Sequence, residues 1–436
     1  MKKKLALAVL VSSMSLEASV KIQEEFYVMG ETPTIVKELV DSGSVIIDHV
    51  TSRGFEIYGG KGLSNFLDHK KIPYFDMKEV SAKILADYPS FTEITKKLMA
   101  LQAKRPDLFK VFSIGKSVKG RDLWMVKVSD NVNTDEVEPE FKFISSMHGD
   151  EITGRELTIK LLEEMAEKYG KDPEITQLIN NTEIYIMPSM NPDGSDLHQR
   201  ANSNGVDLNR NFPDMTRERQ SSAKGREIET QSVMNFQASR QFALSANFHG
   251  GTIVANYPWD STYDRHPMDK FVQELALGYA ENNPEMRNST DFNRGITNGA
   301  DWYVVKGGMQ DWSYFWFNDL QITIELSHEK WPNYSEIPSF YQNNRNSMMA
   351  FMKEIHSGAG IKFNRSNVEG TIRIKQNSPE VKDYGSFSFH GSEFYKVLPE
   401  GDYTFTIQEK NGSTSKLELS VPKSEIKANG NFITLN

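Results

Sequence analysis

Phe141-Lys-Phe-Ile-Ser145 is an apolar run of strand length, and an amphipathic helical pattern follows it from Leu157 to Tyr169. Ile184–Pro188 and Gln321–Leu326 are further strand-like runs. Across residues 88–357 such runs alternate with amphipathic helical stretches, a pattern typical of a sheet with helices packed on it. We therefore predict an α/β fold. Functional residues are expected just after the strands, because sites in open α/β sheets lie at the carboxyl ends of strands.

The segments on either side of this region have a different character. Residues 20–78 alternate short elements, among them a helix-like Thr34–Val40 and a strand-like Ser44–His49, which predicts a small α+β module. After Gly358-Ala-Gly360, runs such as Gly370–Ile374 alternate apolar and polar residues between turns, which predicts a small all-β sandwich. The chain is accordingly divided into four segments: residues 1–18, 19–80, 85–357 and 360–436.

Composition excludes several classes of function. The chain has 436 residues, of which 38% are hydrophobic and 25% charged, as in ordinary globular proteins. A net charge of -9 argues against a nucleic-acid binder, which needs a basic surface. There is no cysteine, so thiol nucleophiles, thiolate metal sites and disulfides are excluded. Any metal site must therefore use histidines and carboxylates.

The first 18 residues have the order of a secretory signal peptide. Three lysines, Lys2 to Lys4, precede an apolar run from Leu5 to Val11, and small and polar residues continue to Ala18. The alternative is a membrane anchor, but this run is much shorter than the ~20 residues that a spanning helix needs. We expect a protein that is exported, to the periplasm or the medium, and that does not span a membrane.

Two histidines and a glutamate follow predicted strands. His148-Gly-Asp-Glu151 comes after the first strand, so that His148 and Glu151 can face one ion across the turn into a helix. His249 ends the strand-like run Leu244–Phe248 and precedes two glycines, which allow a sharp turn. Imidazole and carboxylate are typical zinc ligands, and three protein ligands with an open fourth position define a catalytic site. The alternative for His249 alone is a hydrogen-bonded core histidine.

The four-residue motif also occurs a second time. His390-Gly-Ser-Glu393 lies inside the predicted β segment, where neither a third ligand nor a general base is apparent. We interpret this second copy as a surface turn that arose by chance.

Charged residues near the predicted metal centre suggest an anionic substrate. Arg200 and Arg210 follow a strand and the predicted turn Asn191-Pro-Asp-Gly194, and arginine recognises carboxylates and stabilises oxyanions. Glu325 lies near the end of an apolar strand, on the opposite face from Ile324 and Leu326. It is either a paired structural charge or a general base. The alternative for the arginines is a pair of surface residues.

A series of motifs, in order along residues 88–357, resembles the zinc metallocarboxypeptidases of the carboxypeptidase A/B superfamily, and most closely its carboxypeptidase N/E/D-like regulatory branch. The resemblance implies a mixed sheet flanked by helices, followed by a transthyretin-like domain after Gly360, and it leaves residues 20–78 uncovered. The motifs are these: His148-Gly-Asp-Glu, Gly154-Arg-Glu, Asn191-Pro-Asp-Gly, Asp207-Leu-Asn-Arg-Asn-Phe-Pro, His249-Gly-Gly, Asn256-Tyr-Pro, Thr297-Asn-Gly-Ala, Trp302-Tyr303, Gly307-Gly-Met-Gln-Asp-Trp312 and Ile324-Glu-Leu326.

The resemblance implies one zinc ion per chain and a role for each matching residue. His148, Glu151 and His249 would hold the zinc. Glu325 would act as general base and acid, and Arg200 would polarise the scissile carbonyl. The remaining matches would bind substrate: Asn209 and Arg210 at its terminal carboxylate, and Tyr303 closing over it.

The sequence departs from the branch at two places. Asp150 stands where the branch usually has Asn, and Ser327-His328 replaces its common residues after the base. Neither departure removes a required group.

Two further residues bear on specificity. Asp260 resembles the carboxylate at the base of the side-chain pocket in the basic-residue-specific branch, and Gln310 matches a second polar pocket residue. A carboxylate in a closed pocket needs a cation, so the substrate is expected to end in Lys or Arg. The alternative is that Asp260 is a solvated loop residue.

Two other functions stay open. An exported enzyme of this fold could cut cell-wall peptides, and a non-catalytic binding protein could carry a relic of the fold. For a peptidase we expect a peptide or protein substrate with a free C-terminus, and a monomer. Residues 19–80 are interpreted either as a pro-segment over the active-site cleft or as a permanent accessory domain.

Overall fold

The computed structural model describes residues 20–77, 88–423, 426 and 431–435. The predicted signal peptide, residues 1–18, lies outside the described residues. Among the helices that are described, none is both long and apolar enough to cross a bilayer.

Residues 24–76 form a four-stranded sheet in the order β2-β3-β1-β4, with a helix in each of two connections. Buried side chains such as Val36 and Leu67 join the helices to the sheet, which matches the predicted α+β module. Its elements are β1 (Glu24–Met29), α1 (Thr34–Asp41), β2 (Val45–Asp48), β3 (Gly54–Gly59), α2 (Leu63–Lys70) and β4 (Tyr74–Asp76). We call this unit the N-terminal module.

The centre of the molecule is an eight-stranded mixed sheet, in the order β11-β10-β12-β9-β7-β8-β6-β5. Strands β8, β7, β9 and β12 are parallel to one another, whereas the pairs β10–β12, β6–β8 and β5–β6 are antiparallel. The strands are β5 (Phe109–Lys116), β6 (Asp122–Val128), β7 (Glu140–Ser145), β8 (Glu183–Met187), β9 (Phe242–His249), β10 (Ile253–Tyr257), β11 (Ile296–Asn298) and β12 (Leu320–Leu326).

Helices cover this sheet, and its central strands are buried along their whole length. On β7, Phe143 and its neighbour Ile144 pack into two different apolar clusters, because successive side chains of a strand point to opposite faces. The helices are α3 (Phe91–Lys104), α4 (Thr153–Lys168), α5 (Pro173–Ile179), α6 (Pro192–Asp196), α7 (Ile228–Ala238), α8 (Asp269–Glu281), α9 (Pro284–Arg287), α10 (Gly299–Trp302), α11 (Met309–Phe317) and α12 (Ile337–Lys353), with 3-10 turns at Leu208–Arg210, Asn293–Gly295, Tyr334–Glu336 and Glu354–His356.

Helix α4 begins four residues before the apolar pattern that predicted it. Its first turn, Thr153 to Glu156, is polar in sequence and nevertheless buried. Gly154 lies against the sheet so closely that a β-carbon there would fall 2.3 Å from the Ser145 hydroxyl oxygen. The close approach, not hydrophobicity, buries this turn, and periodicity could not predict it.

The C-terminal strands form two sheets, one in the order β16-β13-β19 and one in the order β15-β14-β17-β18. Phe363 of the first sheet stacks on Phe389 of the second with ring centroids 5.0 Å apart, so the sheets share a core as in the predicted sandwich. The strands are β13 (Gly358–Phe363), β14 (Val368–Ser378), β15 (Lys382–Gly391), β16 (Glu393–Val397), β17 (Gly401–Glu409), β18 (Thr414–Val421) and β19 (Phe432–Leu435).

Candidate active site

Three buried side chains converge at the carboxyl ends of β7 and β9. His148 Nδ1 lies 2.9 Å from one oxygen of Glu151, and His249 Nδ1 lies 2.7 Å from the other. The two Nδ1 atoms are 3.0 Å apart. Two imidazole nitrogens and a carboxylate that face one point are a zinc donor set. The residues therefore fit the zinc site that the sequence predicts.

A second carboxylate holds the first histidine. His148 Nε2 lies 3.0 Å from Asp207 Oδ1, so this nitrogen can keep its proton while Nδ1 gives up its own to bind a metal. The other Asp207 oxygen accepts a hydrogen bond from Arg200 Nε at 2.9 Å. Burial by itself raises the pKa of Asp207, but Arg200 and His148 lower it far below its usual range. Asp207 is thus an anion that orients the His148 ring.

The electrostatics around Glu151 and His148 favour a positive charge between them. Burial alone would raise the pKa of Glu151, but His148 and His249 hold it well below its usual value. Burial and the nearby Arg200 would lower the pKa of His148, whereas Glu151 and Asp207 raise it to about 9. A divalent cation would satisfy the same carboxylates.

The predicted general base lies beside these ligands. Glu325 of β12 is paired in register with His249 of the adjacent parallel strand, and it is 3% exposed. The register places Glu325 at the same edge of the sheet as His249, where the sequence predicts the base.

The predicted substrate-binding residues lie in the same part of the molecule. Arg200 is fully buried, and its Nη1 lies 3.3 Å from Glu151. Asn209 and Arg210 occupy the short turn after Asp207, where the Asn209 oxygen accepts a hydrogen bond from the Met309 N–H at 3.0 Å. These side chains are held in place by the surrounding loops.

The N-terminal module contacts these predicted substrate-binding residues, which the sequence did not reveal. Asp48, at the end of β2, forms an ion pair with Arg200 and accepts a hydrogen bond from the Tyr303 hydroxyl. Arg210 Nη2 donates to the Ile47 carbonyl at 3.3 Å, and the Trp302 indole donates to the Val50 carbonyl at 2.7 Å.

The next residue, His49, faces the predicted base. Its Nε2 lies 3.7 Å from Glu325 Oε2, and its Nδ1 lies 3.0 Å from Glu56. Burial by itself lowers the pKa of His49, but Asp48, Glu56 and Glu325 raise it well above its usual value.

A second buried group surrounds Asp260. Asn256 Nδ2 and Gln310 Nε2 donate to Asp260 Oδ1 at 3.0 and 2.8 Å. Asp260 is 5% exposed, so it is not the solvated loop residue of the alternative interpretation. Burial and the charge of Asp311 raise the pKa of Asp260 well above its usual value. Only glycine fits at position 299, where a β-carbon would fall 1.7 Å from Asp260 Oδ1.

The two departures from the branch also have defined positions. Asp150 lies 3.4 Å from the Lys330 ammonium, which in turn binds Glu56 of the N-terminal module at 2.7 Å. The Ser327 hydroxyl is hydrogen-bonded to Thr153 at 2.9 Å, and His328 is exposed. Neither residue displaces a member of the metal centre.

The second copy of the motif lies on the C-terminal strands and not at the edge of the central sheet. His390 is exposed at the end of β15, and Glu393 opens β16. Among the described residues, neither belongs to a group of side chains that could hold a metal.

Sequence reasoning assigned no role to Asp207, Asn256, Asp48 or His49. Asp207 and Asn256 belong to quoted motifs, so the sequence marked both positions although no role was assigned to them. Asp48 and His49 belong to none of the quoted motifs. No local sequence pattern shows that β2 ends beside Arg200 and Glu325.

Comparison with known proteins agrees with this geometry. Residues 94–347 match the model of the zinc carboxypeptidase family. Human carboxypeptidase D is 38% identical over 353 residues, which cover 75% of this chain and 25% of that protein. The human carboxypeptidase N catalytic chain is 36% identical over 381 residues, covering 77% of this chain and 83% of that one. The chain thus spans about a quarter of the length of the carboxypeptidase D that it matches.

The solved structures extend the likeness to the fold. The crystal structure of carboxypeptidase A from Helicoverpa armigera superimposes with a TM-score of 0.61 at 18% identity, over 76% of this chain and 97% of that one.

The fold, the donor set at the sheet edge and the sequence relatives define a metallocarboxypeptidase domain. The chain belongs to the zinc carboxypeptidase family. The resemblance inferred from the motifs is confirmed, and so is the predicted fold class.

Proposed function

We propose that this chain is a zinc carboxypeptidase that releases C-terminal Lys or Arg from peptides. His148, Glu151 and His249 would hold one zinc ion, which supplies a Lewis acid that polarises a peptide carbonyl and makes water more acidic. Glu325 would accept a proton from the attacking water and return it to the leaving amine. Arg200 would donate hydrogen bonds to the carbonyl oxygen as negative charge develops there.

The arrangement around Asp260 carries the choice of substrate. Because its Oδ1 accepts from the amide nitrogens of Asn256 and Gln310, both amide oxygens must point elsewhere. Among the described residues, no hydrogen bond reaches either amide oxygen, and no cation forms an ion pair with Asp260. Two buried amide oxygens without donors, beside a carboxyl group without an ion pair, favour a side chain that brings several N–H groups and a positive charge. Lys and Arg have these groups, and Phe, Leu and Glu do not.

Steady-state kinetics on peptides that differ only in the last residue test this choice. We expect kcat/KM to be highest for Arg and Lys, and lower for Phe, Glu and diaminopimelate, the last of which stands for the cell-wall alternative. Asp260→Ala is expected to lose at least roughly tens-fold on Arg and Lys, since removing one partner of a buried charge pair costs ~2–5 kcal/mol, and little on Phe. The exposed Asp264→Ala, four residues away, is the control.

Equal losses on basic and apolar substrates would mean that Asp260 supports the fold instead of reading the side chain. A wild-type preference for Phe or Glu would refute the Lys/Arg choice and leave the peptidase intact. A chain that binds zinc and turns over none of these peptides would favour the non-catalytic alternative.

The raised pKa of Asp260 gives the same choice a pH signature. A carboxyl group with a raised pKa stays protonated to a higher pH than usual, and only its ionised form attracts a cation. The charged groups that face it are Asp311, which disfavours ionisation, and Arg210, which favours it. The ratio of kcat/KM for Arg over Phe substrates should therefore fall as the pH is lowered. In Asp260→Asn the ratio should be low and independent of pH.

We also propose that residues 19–80 act as a pro-segment over the cleft. The supporting observation is that Asp48 binds the side chains of Arg200 and Tyr303, and the Ile47 carbonyl accepts a hydrogen bond from Arg210. A substrate would therefore compete with the module for the same groups. In the full-length chain, Asp48→Asn should raise kcat/KM about tenfold or more, whereas Asp41→Asn on the exposed end of α1 should not. Equal activity of Asp48→Asn and wild type would make the module a permanent accessory domain.

The proposed localisation, C-terminal domain type and oligomeric state rest mainly on the sequence. The order of residues 1–18 supports export, and the sandwich at residues 360–436 supports a transthyretin-like domain. We expect a monomer that acts on peptides outside the cytoplasm and binds no nucleic acid.

A further inference from the structure

Three carboxylates lie together on the loop between β6 and β7, and the proposed zinc chemistry uses none of them. One carboxylate oxygen each of Asp130, Glu136 and Glu138 lie within 4.8 Å of one another. Their loop, residues 129–139, leads into the start of β7, whereas His148 follows the end of that strand. The two groups of side chains are therefore at opposite ends of β7.

Two of these carboxylates have buried oxygen atoms without a partner. Glu138 is 7% exposed, and its Oε2 accepts no hydrogen bond among the described residues. Glu136 Oε2 is buried without a donor as well, while its Oε1 accepts a hydrogen bond from the Asn131 side chain at 3.2 Å. Buried carboxylate oxygens without donors are costly. They favour a group that brings positive charge to the loop.

The neighbouring acidic residues differ, because they already have cations. Arg240 Nη2 forms ion pairs with Asp135 at 2.6 Å and Glu183 at 2.8 Å, and it also pairs with Glu140. The Lys127 ammonium lies 2.5 Å from Glu183. In the part of the chain that the structure describes, no Lys, Arg or His forms an ion pair with any of the three loop carboxylates. Their negative charge is not balanced by the protein.

The electrostatics of the loop agree with this imbalance. Burial, with the charges of Glu136 and Asp130, raises the pKa of Glu138 to about 8. The Lys127 ammonium acts in the opposite direction but does not offset them. Burial and the charge of Glu136 also raise the pKa of Asp130. A cation held between the carboxylates would remove the repulsion that these groups exert on one another.

We propose that Asp130, Glu136 and Glu138 bind one calcium ion. The donors are all oxygens, which suit a hard cation and not zinc. Oxygens that each lie about 2.3–2.6 Å from one Ca²⁺ are at most about 5 Å apart, and the three carboxylates meet this condition. Magnesium usually takes one or two carboxylates and keeps several waters, so three carboxylates favour calcium. The site is independent of the proposed zinc centre.

Such an ion would stabilise the fold and take no part in the reaction. The three ligands come together only when the loop has its folded conformation, and an ion that binds only the folded state raises its stability. Because the loop leads into β7, the ion would fix the start of the strand whose other end carries His148. We expect an affinity in the range of extracellular calcium modules, a Kd of ~10⁻⁴–10⁻³ M.

Thermal unfolding of the full-length, zinc-loaded chain tests the proposal with Ca²⁺ itself. At about 10 mM Ca²⁺ the unfolding temperature should rise by roughly 3 °C or more, and the same concentration of Mg²⁺ should have a much smaller effect. Hydrogen exchange of residues 129–139 should slow when Ca²⁺ is added, whereas the zinc content and kcat should not change.

Two variants localise the effect. Glu138→Gln removes one charge and keeps the shape of the side chain, and it should abolish the rise in unfolding temperature with Ca²⁺. Asp130→Asn alters an exposed ligand that the fold does not need, and it should abolish the rise as well while keeping wild-type kcat. The matched control is Glu167→Gln on the exposed face of α4, which should respond to Ca²⁺ as wild type does.

Three outcomes would overturn the proposal. If Ca²⁺ does not raise the unfolding temperature of wild type, the loop carboxylates hold a proton and not an ion. If the rise is the same in Glu138→Gln, Asp130→Asn and the control, Ca²⁺ binds elsewhere. An equal rise with Mg²⁺ would refute the choice of calcium.

Discussion

The chain contains the sequence His-Gly-x-Glu twice, and the two copies lie in opposite environments. In the first copy, the glutamate Glu151 faces His148 and His249, which lower its pKa well below the usual value after burial has raised it. In the second copy, burial and the acidic neighbours Glu140, Asp135 and Glu183 raise the pKa of Glu393 to about 8. The first glutamate is therefore ionised and can bind a cation, whereas the second keeps its proton to a higher pH than usual.

The comparison shows that the four-residue motif does not by itself assemble a set of metal-binding side chains. The first copy follows a central parallel strand, so it faces residues of β9 and β12 that end at the same edge. The second copy connects the antiparallel part of the C-terminal strands, β15 and β16, and its glutamate faces the acidic residues Glu140 and Glu183. The neighbouring strands β9 and β12, not the motif, carry the proposed third ligand and the proposed base.

The largest expected contrast is in metal content. His148→Ala should lose zinc and activity together, because a site with two ligands holds the metal poorly, whereas His390→Ala should change neither. Metal analysis of the purified variants measures both. Zinc loss in the His390 variant would mean that the second copy is the metal site.

Glu325→Gln separates the base from the ligands in the first copy. We expect stoichiometric zinc and a kcat lower by at least ~10²–10⁴, the usual size of a general-base contribution. Metal analysis and kinetics on the same preparation measure the two quantities. Wild-type turnover by this variant would exclude the general-base role.

Asp207→Asn tests the carboxylate that only the first copy possesses. The amide cannot supply the same charge to His148 Nε2, so zinc affinity should fall by roughly 10–100-fold. A chelator competition assay reports the affinity. If the affinity is unchanged, His148 is oriented by its packing alone.

The smallest expected effect concerns Glu393. Its pKa is raised from 4.5 to about 8 in the folded chain, so the folded state holds a proton that the unfolded state releases. The free energy of unfolding should therefore decrease as the pH rises from about 4.5 to about 8. Glu393→Gln should weaken this dependence and stabilise the chain by roughly 1–2 kcal/mol at pH 9.

Denaturant unfolding at several pH values measures that effect, with the exposed Glu380→Gln as control. Equal pH dependence in wild type and both variants would show that Glu393 titrates normally in the fold.

Much of the fold could be predicted from periodicity. The strands β7, β8 and β12 were predicted within a residue or two, because buried parallel strands are continuous apolar runs. The start of α4 was not predicted, since its first turn is polar and is buried by the close approach of Gly154. Likewise Asn191–Gly194, expected as a turn, is the cap and first part of a short helix, Pro192–Asp196.

By itself, the sequence determined the family, the candidate ligands and the predicted base. These residues belong to contiguous motifs next to strands, and motif chemistry is local. Only the tertiary structure decided that Asp48 and His49 lie beside Arg200 and Glu325. It also decided that Asp260 is buried beside two amide oxygens that accept no hydrogen bond from the part of the chain that the structure describes. Both depend on how segments distant in the chain dock, and the free energy of docking is spread over many apolar contacts that no local pattern encodes.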